Sequence, residues 1–164
     1  MKTTLSILAL LAASLCSPAH ALDNGQKAPE ISVNSPQGNV RLAALKGSVV
    51  YLDFWASWCG PCKQSFPWLN EMQAKYGAKG LRIVAVNVDQ RREDAERFLA
   101  QVPARFQIAY DSSGDTPRAY GVKAMPSSVL IDADGRVLAQ HSGFRGNDGT
   151  ELETRIAAAL AARP

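Results

Sequence analysis

Two stretches of the chain are apolar almost without interruption, Val49 to Phe54 and Leu81 to Val88, and both are rich in β-branched or aromatic residues. Runs of that length without polar alternation predict strands buried on both faces at the centre of a sheet. Between them, Phe66, Leu69, Met72 and Tyr76 recur at helical spacing, which predicts one helix from Cys59 to Tyr76, ended by Gly77 and Gly80. Pro67 lies inside it, where the missing backbone donor kinks a helix rather than abolishing it. A second amphipathic stretch, Arg92 to Val102, turns Ala95, Phe98, Leu99 and Val102 inward and gives Arg91, Arg92, Glu93, Glu96 and Arg97 to a solvated face.

Shorter elements complete the pattern. Ile31 to Val33 and Val40 to Leu42 predict two edge strands joined by a turn at Pro36-Gln37-Gly38. Gln107 to Tyr110 predicts another strand and Thr116 to Tyr120 a brief helix. Ser127 to Ile131 and Arg136 to His141 predict a hairpin across Asp132-Ala133-Asp134-Gly135, whose Asp-Gly pair is a strong turn signal. Thr150 and Glu153 make a capping box that starts the last helix near Thr150 and sends it through Ile156 and Leu160. The order β-β-β-α-β-α-β-α-β-β-α predicts an α/β fold, a central mixed sheet with helices on both faces.

With 164 residues, 46% of them hydrophobic and 20% charged, the chain suits one globular domain behind a leader. Residues 1 to 21 read as a secretory signal: Lys2, an apolar stretch from Leu5 to Leu15, then Ala19-His20-Ala21 as a small-x-small site with cleavage after Ala21. The apolar stretch is about half the roughly 20 residues a membrane-spanning helix needs. Lipidation at Cys16 competes, but bulky Leu15 precedes it where a small residue is usual. The expectation is therefore an exported, periplasmic domain over 22 to 164, soluble and monomeric. A net charge of +3 with scattered basic residues gives no field to attract nucleic acid.

Export changes how the cysteines are read. The mature chain keeps Cys59 and Cys62 and one histidine, His141, too few ligands for an ordinary tetrahedral zinc site. A structural bridge over so short a loop would restrain the unfolded chain little. The C-x-x-C instead lies where a buried strand passes into a helix, so the unpaired first-turn amides and the helix dipole favour a thiolate at Cys59. Cys62, one turn on, is close enough to close a disulfide, so the pair can cycle between dithiol and disulfide. Asp53 is a charge inside an apolar strand, costly to bury and prone to titrate upward. It has a competing reading, an ion pair with Lys75 or Lys79. His141, in an alternating strand, reads as a surface histidine rather than a catalytic one. Trp58 reads as an exposed aromatic beside the cysteines, Phe54 and Trp55 as core, and Trp68 fits either.

The stretch Y-L-D-F-W-A-S-W-C-G-P-C-K, the Met125-Pro126 pair ahead of a strand and the D-x-D-G hairpin together resemble the thioredoxin superfamily. The N-terminal strand extension, the β-α insertion between Asp89 and Gly114 and the leader resemble its exported TlpA/ResA-like branch. The resemblance implies a thioredoxin-like fold over residues 25 to 162 and a redox-active disulfide in place of any cofactor or metal. Residue by residue, it makes Cys59 the attacking cysteine and Cys62 the resolving one. Asp53 becomes the buried proton acceptor, and Pro126 the cis-proline that faces the cysteines and presents the backbone of Met125 to a substrate segment. Trp58, Gly60 and Pro61 would join Met125 and Pro126 in contacting substrate. Many members of the branch have Asn at the place of Asp53, and some have Glu where this chain has Ser65, so proton handling here resembles a thioredoxin.

Gly60-Pro61 matches the thioredoxin dipeptide and adds no charge or side-chain donor to the thiolate. It points to a reductant, nearer the potential of thioredoxin, about −270 mV, than that of DsbA, about −120 mV. The expected activity is reduction of disulfides in client proteins, in cytochrome c maturation or copper-site assembly, with a membrane thiol-electron transporter as the source of electrons. Two other readings stay open. A non-catalytic Cu(I)-binding module could use the same two thiolates. A peroxiredoxin-like peroxide reductase would need a P-x-x-x-T/S-x-x-C loop, which is missing before Cys59.

Overall fold

A computed structural model describes residues 22 to 163. The leader expected over residues 1 to 21, Cys16 within it, lies outside the described residues. Seven strands form one sheet: β1 (Ser32–Ser35), β2 (Gly38–Arg41), β3 (Val49–Trp55), β4 (Leu81–Asn87), β5 (Gln107–Tyr110), β6 (Ser127–Ile131) and β7 (Val137–Ser142). Four helices accompany them: α1 (Cys62–Tyr76), α2 (Arg92–Gln101), α3 (Asp115–Ala119) and α4 (Asp148–Ala161). The strands lie in the order β2-β1-β5-β4-β3-β6-β7. β3 pairs parallel with β4 and antiparallel with β6, and β4 pairs parallel with β5. The sheet is mixed, as the element order predicts.

Every residue of β3 is buried, because the strand is covered on both sides. Val49, Tyr51 and Trp55 face one apolar cluster, closed by Phe66, Leu69 and Met72 of α1, Ala95 and Phe98 of α2 and Ile156 of α4. Val50, Leu52 and Phe54 face a second cluster with Ile31, Val40, Leu42, Val129 and Tyr120. The period of two along a strand sorts these sets, and Asp53 falls on the α1 side. Aromatic rings fill the space beneath the start of α1: Trp55 to Phe66 is 4.9 Å between centroids, Trp55 to Phe98 is 4.8 Å and Phe66 to Phe98 is 5.1 Å.

Three expectations need correction. The first helix begins at Cys62, with Pro61 as its cap, so Cys59 precedes the helix. Proline fits there because the position requires no backbone donor and its fixed φ is already helical. The last helix begins at Asp148, and Thr150 and Glu153 form no capping box. Glu153 instead accepts from Lys75 Nζ at 2.5 Å and from the Tyr76 hydroxyl at 2.8 Å, tying α4 to the end of α1. Leu42, expected to end the second edge strand, instead opens a short 3₁₀ turn at Leu42–Leu45, and a second such turn, Gly77–Lys79, follows the end of the first helix. The basic and acidic residues of α2 are exposed and pair along their own helix, Arg92 with Glu96 and Arg91 and Arg97 with Asp94. Such pairs contribute little to stability.

Candidate active site

Where β3 ends, residues 56 to 61 turn the chain into α1 and set Cys59 over the mouth of that helix. Cys59 and Cys62 form a disulfide with their Cα atoms 5.4 Å apart, inside the range a bridge spans without backbone movement. Cys59 Sγ also accepts the Cys62 N–H at 3.2 Å. A helix N-terminus has amides with no partner of their own, and here one of them points at sulfur, where it would favour a thiolate once the bond is reduced. Cys62 is fully buried; Cys59 keeps 3% exposure. Gly60 and Pro61 are exposed beside them.

Asp53 lies on the strand face that α1 covers, with Ala85 opposite it on β4 and Ser128 on β6. Only 3% of it is exposed, and burial pushes its carboxyl well above the usual carboxylate range. Among the described residues its Oδ2 has no hydrogen-bond partner, and neither has Trp55 Nε1 two residues on. The ion-pair reading fails: Lys75 is bound to Glu153, and Lys79 lies over the Tyr76 ring at 5.3 Å. Both belong to the far end of α1 and its exit turn, about four helical turns from Cys62. Burial together with Asp53's charge also raises the Tyr51 hydroxyl.

The Met125–Pro126 bond is cis, as the resemblance implies. Pro126 is buried and Met125 half-buried. Trp58 stands out at 71% exposure and shares a groove of about 390 Å³ with Val88, Pro117, Arg118, Lys123 and Met125. Phe54 and Trp55 are core. Trp68 is half-buried, edge-on to Tyr51 and beside Phe144. His141 is not a plain surface residue: its side chain is only 28% exposed, and its Nε2 lies 3.2 Å from Asp148 Oδ2.

A polar clasp that sequence reasoning missed holds the loop before Cys59. Asp89, itself buried, accepts the Ser57 N–H at 2.8 Å, the Ser57 hydroxyl at 2.9 Å and Asn87 Nδ2 at 2.7 Å. Its trace in the sequence is a pair of polar residues, Asn87 and Asp89, at the end of an apolar run whose neighbouring strand leads into the cysteines. Asp89→Ala leaves those donors without an acceptor and should cost about 3 kcal/mol, since bonds to a carboxylate contribute more than neutral ones. Urea unfolding of the oxidised protein checks it; a change within experimental error would show the clasp to be idle.

The arrangement offers a sulfur pair at a helix mouth, a buried carboxyl of raised proton affinity on the strand face that the helix covers, and a groove beside Trp58 whose wall carries Met125, Arg118 and Lys123. A family model described as redoxin matches residues 23–157. The chain belongs to the redoxin family. This redoxin is 36% identical over 131 residues to thiol-disulfide oxidoreductase ResA of Bacillus thuringiensis subsp. konkukian, covering 79% of the chain and 76% of the relative. A crystal structure from Chlorobium tepidum, provisionally assigned as thiol:disulfide interchange protein DsbE, matches with a TM-score of 0.84 at 61% identity, covering 85% of this chain and 99% of that one. The thioredoxin domain of a Bacteroides vulgatus thiol-disulfide oxidoreductase matches with a TM-score of 0.73 at 27% identity, covering 83% and 99%. The chain is thus a ResA-like thiol-disulfide oxidoreductase of the thioredoxin superfamily, with the thioredoxin-like fold its sequence resembles. Among the described residues no helix is long and apolar enough to cross a membrane.

Proposed function

We propose that this redoxin is exported and reduces disulfides in client proteins. Cys59 as thiolate attacks a client disulfide, forms a mixed disulfide and releases one client sulfur. Cys62 then gives its proton to Asp53, attacks Cys59 sulfur and frees the second client sulfur as a thiolate. The client gains two electrons and the Cys59–Cys62 disulfide returns. A membrane thiol-electron transporter recharges it. The observation that carries this reading is the Cys59–Cys62 pair with the Cys62 N–H directed at Cys59 sulfur. Burial of Asp53 supports its role, because a carboxyl raised above its usual range is a stronger base toward a neighbouring thiol.

Trp58, Gly60, Pro61, Met125 and Pro126 form the client-binding surface in this reading. Neither the N–H nor the C=O of Met125 makes a hydrogen bond among the described residues, which leaves both for an extended client segment. The leader sequence supports export, and cytochrome c maturation or copper-site assembly would supply the clients. The reductive direction is tested by equilibrium with glutathione, combined with insulin-disulfide reduction. The expected potential lies near the roughly −270 mV of thioredoxin; one near the roughly −120 mV of DsbA would make the protein an oxidant. Tight Cu(I) binding without insulin reduction, or catalysed loss of peroxide, would replace the reading altogether.

A further inference from the structure

Asp53, Ser128 and His141 stand in a row across three strands. Ser128 of β6 is the register partner both of Asp53 on β3 and of His141 on β7. Directly paired residues project to one side of a sheet with Cβ atoms about 5 Å apart, so all three face the α1 and α4 side. Tyr51, two residues before Asp53, shares that face, and its hydroxyl donates to Ser128 Oγ at 2.8 Å. Ser128 Oγ has then accepted one hydrogen bond and still has its own hydrogen to donate. Beside them lies a cavity of about 30 Å³ lined by Tyr51, Ser128, Gln140, His141, Leu152 and Arg155. That is room for one water, with the polar side chains of Tyr51, Ser128, Gln140 and His141 among the lining and Leu130, Ala139 and Leu152 beside them.

The outer end of the row reaches solvent. His141 is partly exposed, and its Nε2 lies 3.2 Å from Asp148 Oδ2. Asp148 is held below the usual carboxylate range by the Arg145 N–H and, against the cost of burial, by His141, so it is an anion beside the imidazole. Arg155, paired with Glu151, is the ionic side chain of α4 that lines this cavity. α1 brings Cys62 to this face of the sheet and β4 brings only Ala85 opposite Asp53. The neighbours of the row along the same face are Val49, Trp55, Leu130 and Ala139, all apolar. Asp53 Oδ2 has no hydrogen-bond partner among the described residues, so its link to Ser128 is the register pairing and the shared face of the sheet, with His141 at the solvent end.

We propose that this row is the proton route of Asp53, with the Ser128 and Tyr51 hydroxyls and one water as carriers and His141 as the group that exchanges with solvent. The inference rests on Asp53 being the base for Cys62. In the forward reaction Cys62–SH and Asp53–COO⁻ become Cys62–S⁻ and Asp53–COOH. Closure of the Cys59–Cys62 bond then leaves one proton on Asp53, which passes along the row to His141 and out. When the disulfide is recharged, a proton returns the same way to Cys62.

The test mixes reduced protein with an aromatic disulfide whose thiols leave as thiolates, so that the proton appearing in solution is the one from Cys62. Protein disulfide formation is followed by tryptophan fluorescence and the proton by a pH indicator. In the unaltered protein the two should coincide. In His141→Gln the proton should trail disulfide formation by about tenfold or more, and added imidazole should close the gap. In Ser128→Ala the proton should trail as well, but imidazole should not help, because the break lies inside. Release in step with disulfide formation in both variants would overturn the route, as would a lag in His141→Gln that imidazole leaves unchanged. Asp53→Asn separates the two readings. If it leaves disulfide formation as fast as before, the base itself is wrong. If it slows that step while the other two variants release protons like the parent, the base stands and the route falls.

Discussion

Cys62→Ala will convert this protein from a catalyst into a trap, losing about three orders of magnitude or more in turnover while Cys59 accumulates in a mixed disulfide with its client. Cys62 is fully buried and three residues from Cys59, so in the intact protein no outside thiol reaches the mixed disulfide as readily. Alanine removes the sulfur without adding volume, and the aromatic packing of Trp55, Phe66 and Phe98 beneath it does not depend on that atom. The fold should therefore persist while the second half of the reaction stops. Non-reducing electrophoresis followed by mass spectrometry identifies the adducts. Apocytochrome, a copper-site protein or a broad mixture would each name a different pathway. Undiminished turnover would remove Cys62 from the mechanism.

Asp53→Asn will make the oxidised protein more stable at alkaline pH and slower as an enzyme. The folded carboxyl binds its proton far more tightly than it would in the unfolded chain, where the value is about 3.9. Above that value the folded state holds a proton that the unfolded state has released, so stability falls as pH rises, until the folded carboxyl has ionised as well. Asparagine has no proton to lose and should abolish this decline, leaving the variant the more stable protein at mildly alkaline pH and little changed at acid pH. Urea unfolding of both proteins across that range is the check. Parallel declines would mean that Asp53 is not the group responsible. Turnover should fall by about ten- to a hundredfold, the usual scale for losing a general base.

The parts of the fold that local pattern controls were legible in the sequence. The continuous apolar runs became β3 and β4, the Asp-Gly turn joined β6 to β7, and the C-x-x-C took its place between strand and helix. What was illegible depends on partners far apart in the chain. Glu153 looked like the second half of a capping box because Thr150 precedes it by three residues, yet Lys75 and Tyr76, more than seventy positions away, claim its carboxylate. Asp53 looked able to pair with a lysine of the same α1 region; once folded, those lysines lie at the other end of the helix. The Asp89 clasp joins residues 32 apart, and no local periodicity announces it. His141 follows an alternating pattern that suggests exposure, but Asp148 of α4 meets its imidazole and leaves the side chain only partly exposed.

The central claim is that the mouth of α1 makes the Cys59 thiol unusually acidic. Alkylation of the reduced protein with iodoacetamide across a pH series, each cysteine quantified by mass spectrometry, measures that acidity directly. The account predicts that Cys59 reacts along a titration curve well below the roughly 8.5 of a free cysteine, with Cys62 titrating above it. Equal curves for the two cysteines, or a Cys59 curve matching that of a simple peptide thiol, would contradict it.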